Sequence, residues 1–102
     1  MSGSRVTVNY PEVIAACRKI ESDAGEMKSA LNTVNNATYN VVGTEWIGPS
    51  ARTFSNEFLN YTNQLMNRAD DLIQAASTLR AQAQRMQEVD AQLARNAANL
   101  VF

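Results

Sequence analysis

Acidic side chains are the most numerous candidates for chemistry in this sequence of 102 residues. Two groups of them stand out: Glu21, Asp23 and Glu26, and then Asp70 and Asp71. Paired carboxylates can act as general acid and base or bind a metal ion. Neighbouring positions on a helix point about 100° apart, however, and Lys19, Lys28 and Arg68 stand close enough to pair with these carboxylates. We interpret both groups as solvated charge pairs.

Other reactive side chains are scarce. The absence of histidine excludes a Ser-His-Asp or Cys-His pair and a zinc site built on imidazole. Cys17 is the single cysteine and falls on an apolar helix stripe, which indicates a buried, inert thiol. Phe54, Phe58 and Tyr61 have the helical spacing typical of a core and not of a ligand pocket. The sequence predicts a protein that is not an enzyme and that has no metal, no cofactor and no small-molecule substrate.

The charge balance and the distribution of apolar residues limit the kinds of partner and the export route that we expect. Nine Lys and Arg against ten Asp and Glu give a formal charge of −1, so we expect no nucleic-acid partner. The longest purely apolar run, residues 13–17, is too short for a signal-peptide core or a membrane span. We therefore expect any export to use another route. Residues 5–9 alternate between polar and apolar and predict a short extended arm.

Helices must position all of these residues. All four glycines and both prolines fall before residue 50, so nothing interrupts a helix in the remainder of the chain. Asn9 can cap a first helix, with Glu12 placed to reach back to it. We predict a single domain over residues 1–102, with helices at about 10–41 and 49–97 joined by a turn at about 43–48.

Apolar and small residues recur on each helix with the spacing of a coiled coil. The first helix has Tyr10, Val13, Cys17, Ile20, Ala24, Met27, Leu31, Val34, Thr38 and Val41; the second has Ala51, Phe58, Leu65, Leu72, Leu79, Met86, Leu93 and Leu100. Two helices joined by six residues should lie antiparallel and pack stripe against stripe. The sequence therefore predicts an all-α fold, an antiparallel helix-turn-helix hairpin.

The apolar face of the second helix is wider than one neighbouring helix can cover, spanning roughly 160° at about 100° per residue. Its members are Phe54, Phe58, Leu59, Tyr61, Leu65, Met66, Leu72 and Ile73. We expect this face to be a dimer interface, most simply that of a two-fold homodimer paired as a four-helix bundle.

The predicted turn contains a short motif, Trp46, Ile47 and Gly48. In a chain of about one hundred residues, with a long helix on either side, this motif resembles the signature of the WXG (Trp-Xaa-Gly) family. These are helical-hairpin proteins of the early-secreted-antigen type, associated with bacterial type VII secretion. Gly48 permits the chain to enter the second helix. Trp46 either covers the end of the bundle, or leaves part of its ring available to the secretion machinery.

The family also carries an export element near its C terminus, written Tyr-x-x-x-Asp/Glu, with a broader form in which hydrophobic residues flank the acid. Asp90 is the best match to the acid, with Met86, Leu93 and Ala97 at helical spacing around it. The sequence fits the broader form and departs from the tyrosine form. Asp90 is otherwise interpreted as a solvated residue paired with Arg95 or Arg85.

The resemblance implies that the protein itself catalyses no reaction. It implies a homodimer in which the turn of one chain lies near the C-terminal helix of the other, forming a composite signal that a membrane-bound secretion ATPase recognises. The protein would be cytoplasmic before export and then secreted without a classical signal peptide. Two alternatives stay open: a targeting partner that binds the helical domain of a larger co-secreted toxin, and a cytoplasmic helical adaptor.

Overall fold

Two long helices make up the fold. The computed structural model describes residues 8–100, within which α1 spans Tyr10–Val41 and α2 spans Pro49–Asn99. Side-chain contacts pair the start of α1 with the end of α2, as between Tyr10 and Asp90, so the helices run antiparallel. The predicted all-α hairpin is confirmed. Most of the extended arm predicted for residues 5–9 lies outside the described residues.

The Asn9 cap and the start of the second helix at Pro49 are as the sequence predicts. The side-chain oxygen of Asn9 accepts a hydrogen bond from the backbone N–H of Glu12 at 3.1 Å, which satisfies one of the unpaired donors of the first turn. Gly48 is the N-cap residue of α2, and Pro49 is its first residue. A proline tolerates this position because its missing N–H would have no partner in the helix.

Small residues line the contact between α1 and α2, which we call the seam. Among residues 8–100, the buried ones are Cys17 and Ala24 on α1 and Ala51, Thr62, Ala69 and Ala76 on α2. Half-buried residues complete it, among them Ile14 and Leu31 on α1 and Met66 and Ile73 on α2. Alanine permits a close approach of two helix backbones, so the seam is narrow.

The apolar stripe predicted for α1 divides into two rows. Tyr10, Cys17, Ala24, Leu31 and Thr38 are buried or half-buried in the seam, whereas Val13, Ile20, Met27, Val34 and Val41 are 37% to 44% exposed. The seam is completed instead by residues one turn further on, several of which are polar, such as Glu21 and Lys28. The prediction that the whole stripe packs against α2 is therefore wrong.

The seven-residue row predicted for α2 also departs from the seam. Ala51 is buried and Phe58 is half-buried, but from Leu65 onward the row lies open, with Leu65 44% and Leu93 60% exposed. The reason is that α1 contacts the row of Thr62, Ala69 and Ala76, which lies to one side of the leucines.

The two exposed rows lie on the same side of the hairpin. Ile20 comes three residues after the buried Cys17, just as Leu72 comes three residues after the buried Ala69. A three-residue step places each exposed residue about 60° to one side of the buried one. Because the helices are antiparallel, the same offset on both brings the two rows to one surface, which we call the apolar face.

The hairpin is long and flat. It measures 83 × 26 × 14 Å, so it is one helix thick, and its radius of gyration is 23.3 Å, against about 13 Å for a globular domain of 100 residues. A single layer of helices cannot bury both of its sides. Within the described residues, neither helix has a stretch long and apolar enough to cross a membrane.

Candidate functional site

The turn that carries the Trp-x-Gly motif is closed by its own backbone. The carbonyl oxygen of Val41 accepts hydrogen bonds from the backbone N–H groups of Thr44, Glu45 and Trp46, at 3.0 to 3.3 Å. The N–H of Gly43 donates in turn to the carbonyl of Trp46 at 2.8 Å. These contacts fix the path of the chain and thereby the position of the indole.

Gly48 is required by backbone conformation. Its φ of +127° and ψ of 178° lie in a region that is essentially restricted to glycine. A Cβ atom built on Gly48 would have no neighbour within 4 Å, so space is not the constraint. The third residue of the motif therefore serves to turn the chain into α2, as the sequence predicts.

Trp46 is held on one side and open on the other. Its ring centroid lies 5.2 Å from that of Phe54, tilted by 48°, and Phe54 in turn stacks on Phe58 at 5.6 Å. The indole nevertheless remains 40% exposed. It borders two grooves, one along the turn and one on the apolar face beside Val34 and Val41. The two interpretations of Trp46 therefore coexist geometrically: the ring packs at the end of the hairpin and still presents a surface.

Asp90 has a partner that the sequence did not suggest. The phenol of Tyr10, the first residue of α1, donates a hydrogen bond to Asp90 Oδ2 at 2.5 Å. This hydrogen bond, followed by partial burial and the nearby negative charge, holds the pKa of Tyr10 above its usual value. Among the described residues Asp90 forms no ion pair with Arg95 or Arg85, the two partners that the sequence suggested, and Arg95 pairs instead with Glu88 at 3.2 Å. Predicting this contact from the sequence would require the register of the two antiparallel helices, and that register depends on the geometry of the turn.

The remaining residues of the C-terminal element lie on the surface. Met86, Leu93 and Ala97 are all exposed, and Met86 and Leu93 continue the apolar face. Within one chain the two parts of the expected export signal are far apart. From Trp46 to Asp90 is most of the length of α2, about 60 Å at 1.5 Å per residue, so one hairpin cannot bring them together.

The predicted dimer interface divides between two surfaces. Phe54, Leu65 and Leu72 lie on the apolar face, Phe58 is half-buried between that face and the seam, and Tyr61 is exposed at the outer edge of the face. Leu59, Met66 and Ile73 are half-buried in the seam. The latter three therefore differ from their expected placement, because the seam lies to that side of the leucine row and α1 covers them.

Three of the five acidic residues in the two groups form ion pairs, and one of these is the pair of Asp23 with Lys19 at 3.2 Å. Arg80 makes two hydrogen bonds to Glu21 across the seam, at 2.8 and 3.2 Å, and these lower the pKa of Glu21. Lys28 pairs with Asp70 on the other helix, at 2.5 Å. Among the described residues, no group of acidic or cysteine side chains is arranged to hold a metal ion.

Comparison with known proteins places the chain in a family. No curated protein and no solved structure matches it. A family model described as proteins of 100 residues with WXG matches residues 5–99, which confirms the resemblance: the chain belongs to the WXG100 family of small helical proteins related to type VII secretion.

Proposed function

We propose that this protein is a non-enzymatic, exported component of a type VII secretion system that acts as a two-fold homodimer. The observation that carries the proposal is the apolar face: two parallel rows of large hydrophobic side chains that the hairpin leaves open. Family membership supports the link to secretion.

The exposed area supports a second copy as the occupant of the apolar face. The chain exposes 7787 Å², whereas a folded monomer of 11.2 kDa exposes about 5,700 Å². The excess of about 2,000 Å² exceeds the roughly 800 Å² that each partner buries in a standard interface. Two hairpins packed by their apolar faces would form a four-helix bundle with a closed core.

The dimer would also supply the proposed export signal. In an antiparallel pair of hairpins, the turn of one chain lies beside the C-terminal part of α2 of the other. Trp46 of one protomer and the surface around Asp90 of its partner would then form a composite signal for a membrane-bound secretion ATPase. The separation of these residues within one chain makes dimer formation a condition for export.

Light scattering on the purified chain across a concentration series tests the dimer. We expect a stable mass near twice 11.2 kDa. A poorly folded monomer would contradict the homodimer and indicate an obligate heterologous partner, such as the helical domain of a larger co-secreted protein.

Export into the medium tests the signal. We expect Trp46→Ala and Asp90→Ala to lower the exported fraction while helicity by circular dichroism is unchanged. Asp71→Ala is the matched control, because it removes an exposed acid elsewhere on α2. Undiminished export of Asp90→Ala would remove Asp90 from the signal, and a location insensitive to both variants would favour a cytoplasmic adaptor.

A further inference from the structure

The hydrogen bond from Tyr10 to Asp90 lies where α1 stops covering α2. Tyr10 is the first residue of α1, and its place is fixed by the Asn9 cap. Asp90 comes nine residues before the end of α2 at Asn99. About 14 Å of α2 therefore continues beyond the last polar contact between the helices, at 1.5 Å per residue.

The surroundings of this contact are apolar and open. Met86, Val89 and Leu93 are 43% to 60% exposed. Met86 comes four residues before Asp90 and Leu93 three residues after it, so both share one side of α2 with the carboxylate. Val89 comes four residues before Leu93 and extends the apolar surface away from Asp90. A partner that covers these side chains must also accommodate the carboxylate, whose position then matters for binding.

Tyr10 restricts that carboxylate. A free aspartate side chain samples several rotamers, and fixing it on binding has an entropic cost. The phenol donates to Oδ2 and leaves the second oxygen available for a partner. A tyrosine phenol is protonated at neutral pH, and the hydrogen bond to Asp90 holds the pKa of Tyr10 above its usual value, so the phenol remains a donor.

We propose that Tyr10 is a positioning residue for Asp90, so that the recognition surface at the end of α2 is built by both helices and exists only on the folded hairpin. This inference rests on the proposed function, in which the secretion machinery reads this surface. It adds a residue from the opposite end of the chain and makes the surface dependent on the correct register of the two helices.

Tyr10→Phe tests the inference, because it removes the hydroxyl and keeps the ring. We expect export to fall severalfold, with helicity and dimer mass unchanged. The double variant Tyr10→Phe/Asp90→Ala should be exported no less than Asp90→Ala alone, because Tyr10 acts through Asp90. Two controls should be exported like the wild type. Tyr39→Phe removes a phenol elsewhere on α1, and Glu21→Gln weakens a different interhelical contact.

A spectroscopic readout separates positioning from general stability. In a Tyr39→Phe/Tyr61→Phe background, Tyr10 is the single tyrosine, and its ionisation can be followed by ultraviolet absorbance. We expect the pKa of Tyr10 to fall when Asp90 is replaced by Ala. An unchanged pKa would show that the hydrogen bond does not form in solution and would overturn the inference.

The export results distinguish failure of this inference from failure of the proposed function. Normal export of Tyr10→Phe together with impaired export of Asp90→Ala would overturn the inference alone. Equal losses in Tyr10→Phe and Glu21→Gln would also overturn it, because hairpin stability would then explain both. Absence of export of the wild-type chain would overturn the proposed function, and this inference with it.

Discussion

Leu72→Asp should dissociate the proposed homodimer. Leu72 lies in the middle of the apolar face and is 50% exposed in the single hairpin. In a two-fold dimer each copy of Leu72 would enter the interface, so the substitution places two carboxylates in the new core.

The expected loss of dimer stability follows from the exposed fraction of the Leu72 side chain. Full burial of a leucine side chain stabilises by about 2 kcal/mol, so the open half of Leu72 leaves about 1 kcal/mol for the dimer, or about 2 kcal/mol for two copies. That loss alone weakens association roughly 30-fold. Burying an unpaired carboxylate costs several kcal/mol more for each copy. The total of at least about 6 kcal/mol corresponds to a dissociation constant about 10⁴-fold higher or more.

Light scattering and sedimentation over a concentration series measure this change. Asn63→Asp is the matched control: it adds the same charge to α2, nine residues from Leu72 and therefore about 180° away around the helix. We expect this control to dimerise like the wild type. A Leu72→Asp chain that keeps the wild-type mass on dilution would refute the assignment of the apolar face as the interface.

Three further predictions concern the single hairpin. Gly48→Ala should lower the free energy of unfolding by about 1 to 3 kcal/mol, because alanine disfavours a φ of +127°. Gly25→Ala should raise it by about 0.5 to 1 kcal/mol, because Gly25 lies inside α1 with open space around the new methyl group. Equal urea midpoints for the two variants would contradict this. The pKa of Glu21 is lowered by Arg80, so its contribution to stability is present above the ordinary glutamate pKa and is lost as pH falls through the lowered value. Thermal melts should show that acid-dependent loss in the wild type and a smaller one in Glu21→Gln. Cys17 is 5% exposed and should react with a thiol reagent far more slowly in the folded chain than in urea, and equal rates would place it on the surface.

The helical hairpin could be predicted from the sequence because its determinants are local. The absence of glycine and proline after Pro49 permits one long helix, and the Asn9 cap sets the start of the other. Gly48 marks the turn, since few other residues can adopt the backbone conformation found there. The motif that identifies the family and the absence of catalytic histidine could be read in the same way.

The rotation of each helix about its axis could not be read from periodicity. Apolar residues repeat over a wide arc on both helices, and spacing alone does not say which part of that arc faces the partner helix. The tertiary structure selects the row of Ala69 and Ala76 for the seam, because alanine permits close approach, and it admits Glu21 and Arg80 as a mutually satisfied pair. The leucines, which have the larger hydrophobic area, are thereby left for another surface.

The helices, the turn and the candidate residues of the export signal can all be predicted from the order of the amino acids. The contacts across the hairpin cannot, as the hydrogen bond between Tyr10 and Asp90 shows, since these residues lie 80 positions apart in the chain. Helix formation and capping depend on neighbours a few residues apart, whereas the register of two antiparallel helices depends on the path of the turn and on close packing along the whole seam.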